Sequence, residues 1–127
     1  MVNCELLKLS PRKNDTDLKA SDFIFKIGVA DVFNMGSSDQ LWLYCKTVVS
    51  GGVRKIVVDM EGLIFIDSGG IGVIINIAKF IRVLKGEIAL VNVPERILNI
   101  FKPVQLGRFI KIFDSEDEVF IFFNVFV

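Results

Sequence analysis

Ile56-Val57-Val58-Asp59-Met60-Glu61-Gly62-Leu63-Ile64-Phe65-Ile66-Asp67-Ser68-Gly69-Gly70-Ile71-Gly72-Val73-Ile74 is the stretch on which the fold turns. Lys55 to Met60 is a β-branched run, too short for a helix and continuous enough for a strand buried on both faces. After Ile64-Phe65-Ile66 the period changes. Ile71, Ile74, Ile75, Ala78 and Ile81 recur at helical spacing until Lys85-Gly86 ends the pattern. Asp67-Ser68-Gly69-Gly70 therefore lies at the opening of a helix that follows a central strand.

The same alternation extends outward. Ile88 to Val93 reads as another buried strand, Pro94 suits the first turn of a short helix carrying Ile97, Leu98 and Phe101, and Phe109 to Phe113 reads as a last short strand. Upstream, Cys4 to Leu9 and Phe23 to Val32 read as two strands, separated by the turn formers Ser10 to Asp15. Ser37 and Gln40 have the spacing of a capping box, and Leu41, Tyr44, Cys45, Val48 and Val49 repeat as one helical face, stopped by Ser50-Gly51-Gly52. Ser115 with Glu118 is a second capping box, opening a C-terminal helix with Val119, Phe122, Phe123 and Phe126 on one face. Propensity alone would make Phe120-Ile121 strand. The helix is preferred because a sheet built this way needs a cover. A tail so apolar calls for more cover than one sheet face supplies, by a dimer contact or a groove. The predicted fold is α/β: one domain over 1–127, a mixed, mostly parallel sheet of four to five strands with helices packed against it. Residues 1–21 form an N-terminal strand and polar loop, and 22–120 form the core.

Composition excludes several functions. Lysine plus arginine and aspartate plus glutamate both number 15, so no global field draws nucleic acid or an anionic membrane. Hydrophobic residues make up 52% of the chain, more than a disordered protein carries. The apolar runs Ile71–Ala78 and Glu118–Val127 fall short of the roughly 20 residues that span a bilayer, and the N-terminus lacks the pattern of a secretory signal. A cytoplasmic protein with no membrane span is expected, with Cys4 and Cys45 as reduced, buried thiols. The chain contains no histidine, which removes Ser-His-Asp and Cys-His catalysis and His-ligated zinc. No cofactor, metal or enzymatic activity is expected.

Ser68 is the residue with chemistry to offer. At a helix opening, its hydroxyl meets unpaired backbone N–H groups and the positive end of the helix dipole, a place where a phosphate is tolerated. Gly69 and Gly70 remove side-chain bulk, so another protein could approach closely. From spacing alone, an ordinary N-cap at Asp67 or Ser68 with a tight turn is the commoner meaning of such a stretch. A trypsin-like nucleophile is excluded for want of a base, and a P-loop for want of its spacing.

The quoted run resembles the core signature of the anti-sigma factor antagonists, the STAS-domain family. There, a buried strand leads through Leu-x-Phe-Ile/Met-Asp-Ser-Ser/Thr-Gly-Leu-Gly-Val into a helix. Gly28-Val29-Ala30-Asp31 resembles the family's Gly-Glu-Leu-Asp. Lys85 to Val91 and the closing segment from Ile97 to Phe113 also resemble family passages, so the likeness covers roughly residues 22 to 120. Two departures stand out: Gly69 replaces the usual Ser or Thr, and Val29 replaces the usual acid.

The resemblance implies a switch. Such a protein, unphosphorylated, binds an anti-sigma factor that is also a serine kinase, and so frees a sigma factor for transcription. Phosphorylation of the serine after the Asp, here Ser68, releases the partner, and a PP2C-type phosphatase resets the protein. Asp31, Val32, Phe33, Asn34, Met35, Ser68, Gly69 and Ile71 are then expected to meet the partner, with Asp31, Asp67, Gly69 and Gly70 supporting the site. The alternative from another class is an accessory subunit that docks on a transporter or stress-sensing complex. The C-terminal apolar segment leaves a homodimer open.

Overall fold

The computed structural model describes residues 2–8 and 23–125, with side chains given for 23–123 except Met35. In chain order the elements are β1 (Val2–Lys8), β2 (Phe23–Phe33), α1 (Met35–Ser50), β3 (Lys55–Ile66), α2 (Ser68–Val83), β4 (Glu87–Val91), α3 (Glu95–Phe101), a 3-10 turn at Leu106–Arg108, β5 (Lys111–Phe113) and α4 (Glu116–Val125). The strands form one sheet in the order β1-β2-β3-β4-β5. β1 runs antiparallel to β2, and every other pair is parallel. Parallel neighbours require crossovers, which α1, α2 and α3 provide. The α/β fold, mixed and mostly parallel, is thus as the alternation in the sequence predicts.

Alternation along each strand divides the sheet's two faces. Ile56, Val58 and Met60 of β3 belong to the large core formed with Leu41, Cys45 and Val49 of α1 and Ile71, Ile74, Ile77 and Ile81 of α2. Ile97 and Phe101 of α3 join that core. Val57, pointing the other way, packs with Ile24, Ala89, Val91 and, from α4, Val119 and Phe123. The C-terminal segment is therefore a helix across the second face. Ser115 Oγ accepts from the Glu118 N–H at 3.3 Å, as a capping residue should. Glu118 returns its carboxylate to the Asp114 N–H rather than to that of Ser115. Phe126 lies outside the described residues, as do Leu9 and the Ser10–Asp22 loop.

Several boundaries differ from the sequence reading: β1 starts at Val2, β4 ends at Val91 instead of Val93, β5 starts at Lys111 instead of Phe109, and two further differences bear on the site. α1 starts at Met35 because Asn34, not Ser37, caps it, its Oδ1 accepting from the Ser37 N–H at 3.3 Å. Ser37 turns its hydroxyl back to the Val32 carbonyl at 3.2 Å. β3, read as a strand to Met60 with a separate apolar triplet after it, is continuous to Ile66. Its register with β2 slips twice: Gly28 pairs with Asp59 but Ala30 with Gly62, and Asp31 pairs with Leu63 but Val32 with Phe65. Each slip adds a residue to β3, as a bulge does. That is why its inward residues Leu63 and Ile66 are three apart instead of two, with Ile64 and Phe65 exposed between them.

Candidate functional site

β2 and β3 lie side by side and end together, with Phe33 paired to Ile66. Each then turns directly into a helix, so the openings of α1 and α2 are neighbours at the C-terminal end of the parallel strands. Ligand and partner sites of open α/β sheets favour this edge. Asp67, extended at φ −92° and ψ 174°, caps α2, its Oδ1 accepting the Gly70 N–H at 2.7 Å. Ser68 is the first helical residue and is exposed. Its hydroxyl stands in the first turn, where the backbone N–H groups and the helix dipole favour added negative charge.

The two glycines have different tasks. A Cβ on Gly70 would come within 2.8 Å of the Phe33 ring and 3.0 Å of Ile66, so this glycine lets the first turn of α2 lie directly on the end of β2. A Cβ on Gly69 would meet only Asp67 Oδ1, at 3.4 Å. Gly69 leaves room beside the serine; Gly70 answers to the core.

Other expected contact residues divide in the same way. Phe33 is fully buried and Ile71 is 7% exposed, so both belong to the core and cannot form the surface that the sequence assigns them to. They follow the inward alternation of β2 and the apolar stripe of α2. Val32 is 44% exposed, and Asp31 and Asn34 are exposed. The Met35 side chain lies outside the described residues. Asp31 sits at the second register slip with φ 63°, a left-handed conformation that aspartate adopts more readily than most residues.

Sequence reading missed the α1 side of the site. Ser38, Asp39, Asp67, Gly69 and Val73 line a cavity of about 180 Å³ between the two helix openings. A second cavity, of about 160 Å³, is lined by Asp39, Trp42, Val73 and Asn76. Asp39 and Val73 belong to both, so the two form one groove between α1 and α2. Trp42 closes its far end, edge-on to Phe80 at 5.3 Å. The signal was present as Asp39 and Trp42 at i, i+3 and Gly69, Val73 and Asn76 at i, i+4, i+7, each set flanking its helix's core stripe. Among the described residues no group of three or more metal-ligating side chains occurs, and no helix is long and apolar enough to cross a membrane.

A strand followed at once by Asp-Ser at the opening of a capped helix, within a sheet of this order, belongs to a family: the STAS-domain model matches residues 12–119, and the chain is a member of it. Among individual relatives it is 36% identical over 67 residues to the TM1081 homolog of Thermotoga neapolitana, covering 53% of this chain and 59% of that one. It is 29% identical over 82 residues to BtrV of Bordetella bronchiseptica, covering 65% and 68%. Both carry the name of anti-sigma factor antagonist. The fold is shared with the anti-sigma factor antagonist SpoIIAA, solved unphosphorylated (TM-score 0.60, 22% identity, 75% of this chain and 83% of that one). SpoIIAA from Bacillus is also solved in its phosphorylated form (TM-score 0.60, 21% identity, 76% and 87%).

Proposed function

We propose that this protein is an anti-sigma factor antagonist and that Ser68 is its switch. With Ser68 unmodified, it binds an anti-sigma factor that is also a serine kinase; phosphorylation of Ser68 ends the complex, and a PP2C-type phosphatase restores it. The observation that carries this reading is the position of Ser68, an exposed hydroxyl on the first residue of α2, beside a groove between two helix openings. The existence of SpoIIAA in both phosphorylated and unphosphorylated forms supports it.

Physical reasoning fixes how such a switch works. Phosphoserine carries a charge of about −1.5 to −2, which a helix N-terminus favours, so α2 stays folded. The effect falls on the partner. Asp67 and Asp39 already line the groove, and a dianion added beside it, between the lining residues Asp67 and Gly69 in the chain, repels acidic groups and raises the desolvation cost of any apolar patch brought against it. A like-charge contact in an interface costs several kcal/mol, and each ~1.4 kcal/mol changes Kd tenfold. The protein acts here as a binding module: the chain has no histidine, and the carboxylate nearest in sequence to Ser68 is engaged in capping Gly70.

The test is binding of the Ser68→Ala and Ser68→Asp variants to the anti-sigma factor kinase of the same organism, with intact-mass mapping of the chain from its own cells. Ser68→Ala should bind persistently and resist phosphorylation, while Ser68→Asp should bind at least tenfold more weakly. Equal binding by the two variants, with no phosphate on Ser68 in any growth phase, would overturn the reading.

A further inference from the structure

α4 covers only part of the sheet's second face. Val119 and Phe123 pack on Ile24, Val57, Ala89 and Val91, and Glu116 at its start reaches Lys26 at 3.2 Å. All of these lie at or before the register level where Asp59 pairs with Val91. Beyond it, β3 has no β4 partner and pairs with β2 alone. On this projecting ribbon, Val32 and Phe65 are cross-strand partners pointing away from the side that buries Phe33 and Ile66. They are 44% and 49% exposed, and Ile64, displaced by the bulge, is 52% exposed. Three large apolar side chains thus stand uncovered within four residues of Ser68 or strand-paired to that segment.

The surrounding charge is one-sided. Residues 27–34 and 60–70, the projecting ribbon and the turns at its tip, contain Asp31, Glu61 and Asp67 and no lysine or arginine. At the opposite end lie Lys46, Arg54, Lys55, Lys85 and the Arg82–Glu87 ion pair, at 3.3 Å. The apolar ledge therefore stands beside the carboxylates of Asp31, Glu61 and Asp67, none of them in an ion pair among the described residues.

We infer that Val32, Ile64 and Phe65 form a docking ledge for a protein partner that presents an apolar side chain within a collar of lysine or arginine. The inference rests on the proposed function for the partner's class and adds the chemistry of its contact surface. An anionic membrane is repelled by this rim. Two copies placed ledge to ledge would oppose Asp31, Glu61 and Asp67 to their own counterparts, which like-charge repulsion disfavours. A half-exposed aromatic between aliphatic neighbours is the kind of centre on which interface energy concentrates, and the acidic rim steers a cationic partner toward it.

Photocrosslinking in the cells of origin tests this, with p-benzoylphenylalanine in place of Phe65 and, as a control at the opposite end of the sheet, in place of Val83, which is 81% exposed. Position 65 should give an adduct with a different protein whose crosslinked peptide carries lysine or arginine beside an apolar side chain, and position 83 should not. Adding Glu61→Lys should lower the yield about tenfold or more. No adduct from position 65, or an adduct to lipid, to a second copy or to an acidic segment, would overturn the ledge. An adduct of the expected kind that is indifferent to Ser68→Asp leaves the ledge standing and removes the switch. Full binding of the anti-sigma factor by Phe65→Ser does the reverse.

Discussion

Asp67 accepts the Gly70 N–H at 2.7 Å, so the carboxylate beside the candidate switch serine is committed to the backbone of α2. Its substitution should therefore be felt first in stability. Asp67→Ala is expected to cost about 1 kcal/mol, the usual loss for an N-cap, and Asp67→Asn less, because an amide oxygen still accepts. Urea unfolding followed by circular dichroism checks this; equal midpoints for wild type and Asp67→Ala would show the cap to be idle.

Ser68→Asp adds charge where the dipole welcomes it. Its unfolding free energy should stay within about 0.5 kcal/mol of wild type, or rise slightly. This separates a switch at an interface from one that melts the helix. A loss above ~2 kcal/mol would mean that charge at Ser68 acts by unfolding α2.

Gly69 and Gly70 should part company when each is replaced by alanine. At Gly70 the new methyl meets the Phe33 ring at 2.8 Å and the Phe33 carbonyl at 3.0 Å, an overpacking expected to cost about 1–3 kcal/mol. At Gly69 it meets only a carboxylate oxygen at 3.4 Å, and alanine should be neutral or stabilising by up to about 1 kcal/mol. Thermal unfolding of the two variants gives the comparison directly.

These contrasts mark where the sequence was legible. Period changes located the strands and helices around Ser68, because a buried parallel strand and an amphipathic helix leave different patterns. Patterns alone did not register the doubled bulge in β3, since an extra residue is visible only against its partner strand. With the strand read only to Val32, Phe33 and Val32 look like equal members of one surface segment, yet β2 continues to Phe33 and its alternation buries one fully and leaves the other 44% exposed. The groove was hidden for a similar reason: Asp39 and Asn76 acquire a shared site only when α1 and α2 lie side by side.

Lys26 holds two acids from different elements, Asp59 Oδ2 at 3.8 Å and Glu116 Oε1 at 3.2 Å, and so ties the start of α4 to the sheet. Asp59 is also held by the Glu61 N–H at 3.0 Å and by Asn92 Nδ2 at 3.4 Å. Lys26→Met should cost about 1–2 kcal/mol, since Asp59, 16% exposed, loses that cation while largely out of water. Glu116→Gln should cost under ~1 kcal/mol, because that end of the network is more exposed. A double-mutant cycle over Lys26 and Glu116 measures their coupling, and 1 M salt should shrink it.

α4 offers the sharpest contrast between neighbouring apolar residues. Phe123 is fully buried among Ile24, Val57 and Ala89, whereas Ile121, two positions earlier on the same helix, is 66% exposed. Phe123→Ala removes a ring from a site flanked by strands that cannot easily collapse, and a loss of about 3–5 kcal/mol is expected. Ile121→Ser changes a side chain already in water and should fall within about 0.5 kcal/mol of wild type if the protein is monomeric. The second variant also tests self-association. If copies pair through this tail, Ile121 lies in the contact, and Ile121→Ser would lower both the unfolding midpoint and the sedimentation coefficient, with a midpoint that depends on protein concentration in the wild type alone. A concentration-independent midpoint in both proteins would count against a stabilising homodimer through any surface and leave the helix as a cover for the sheet.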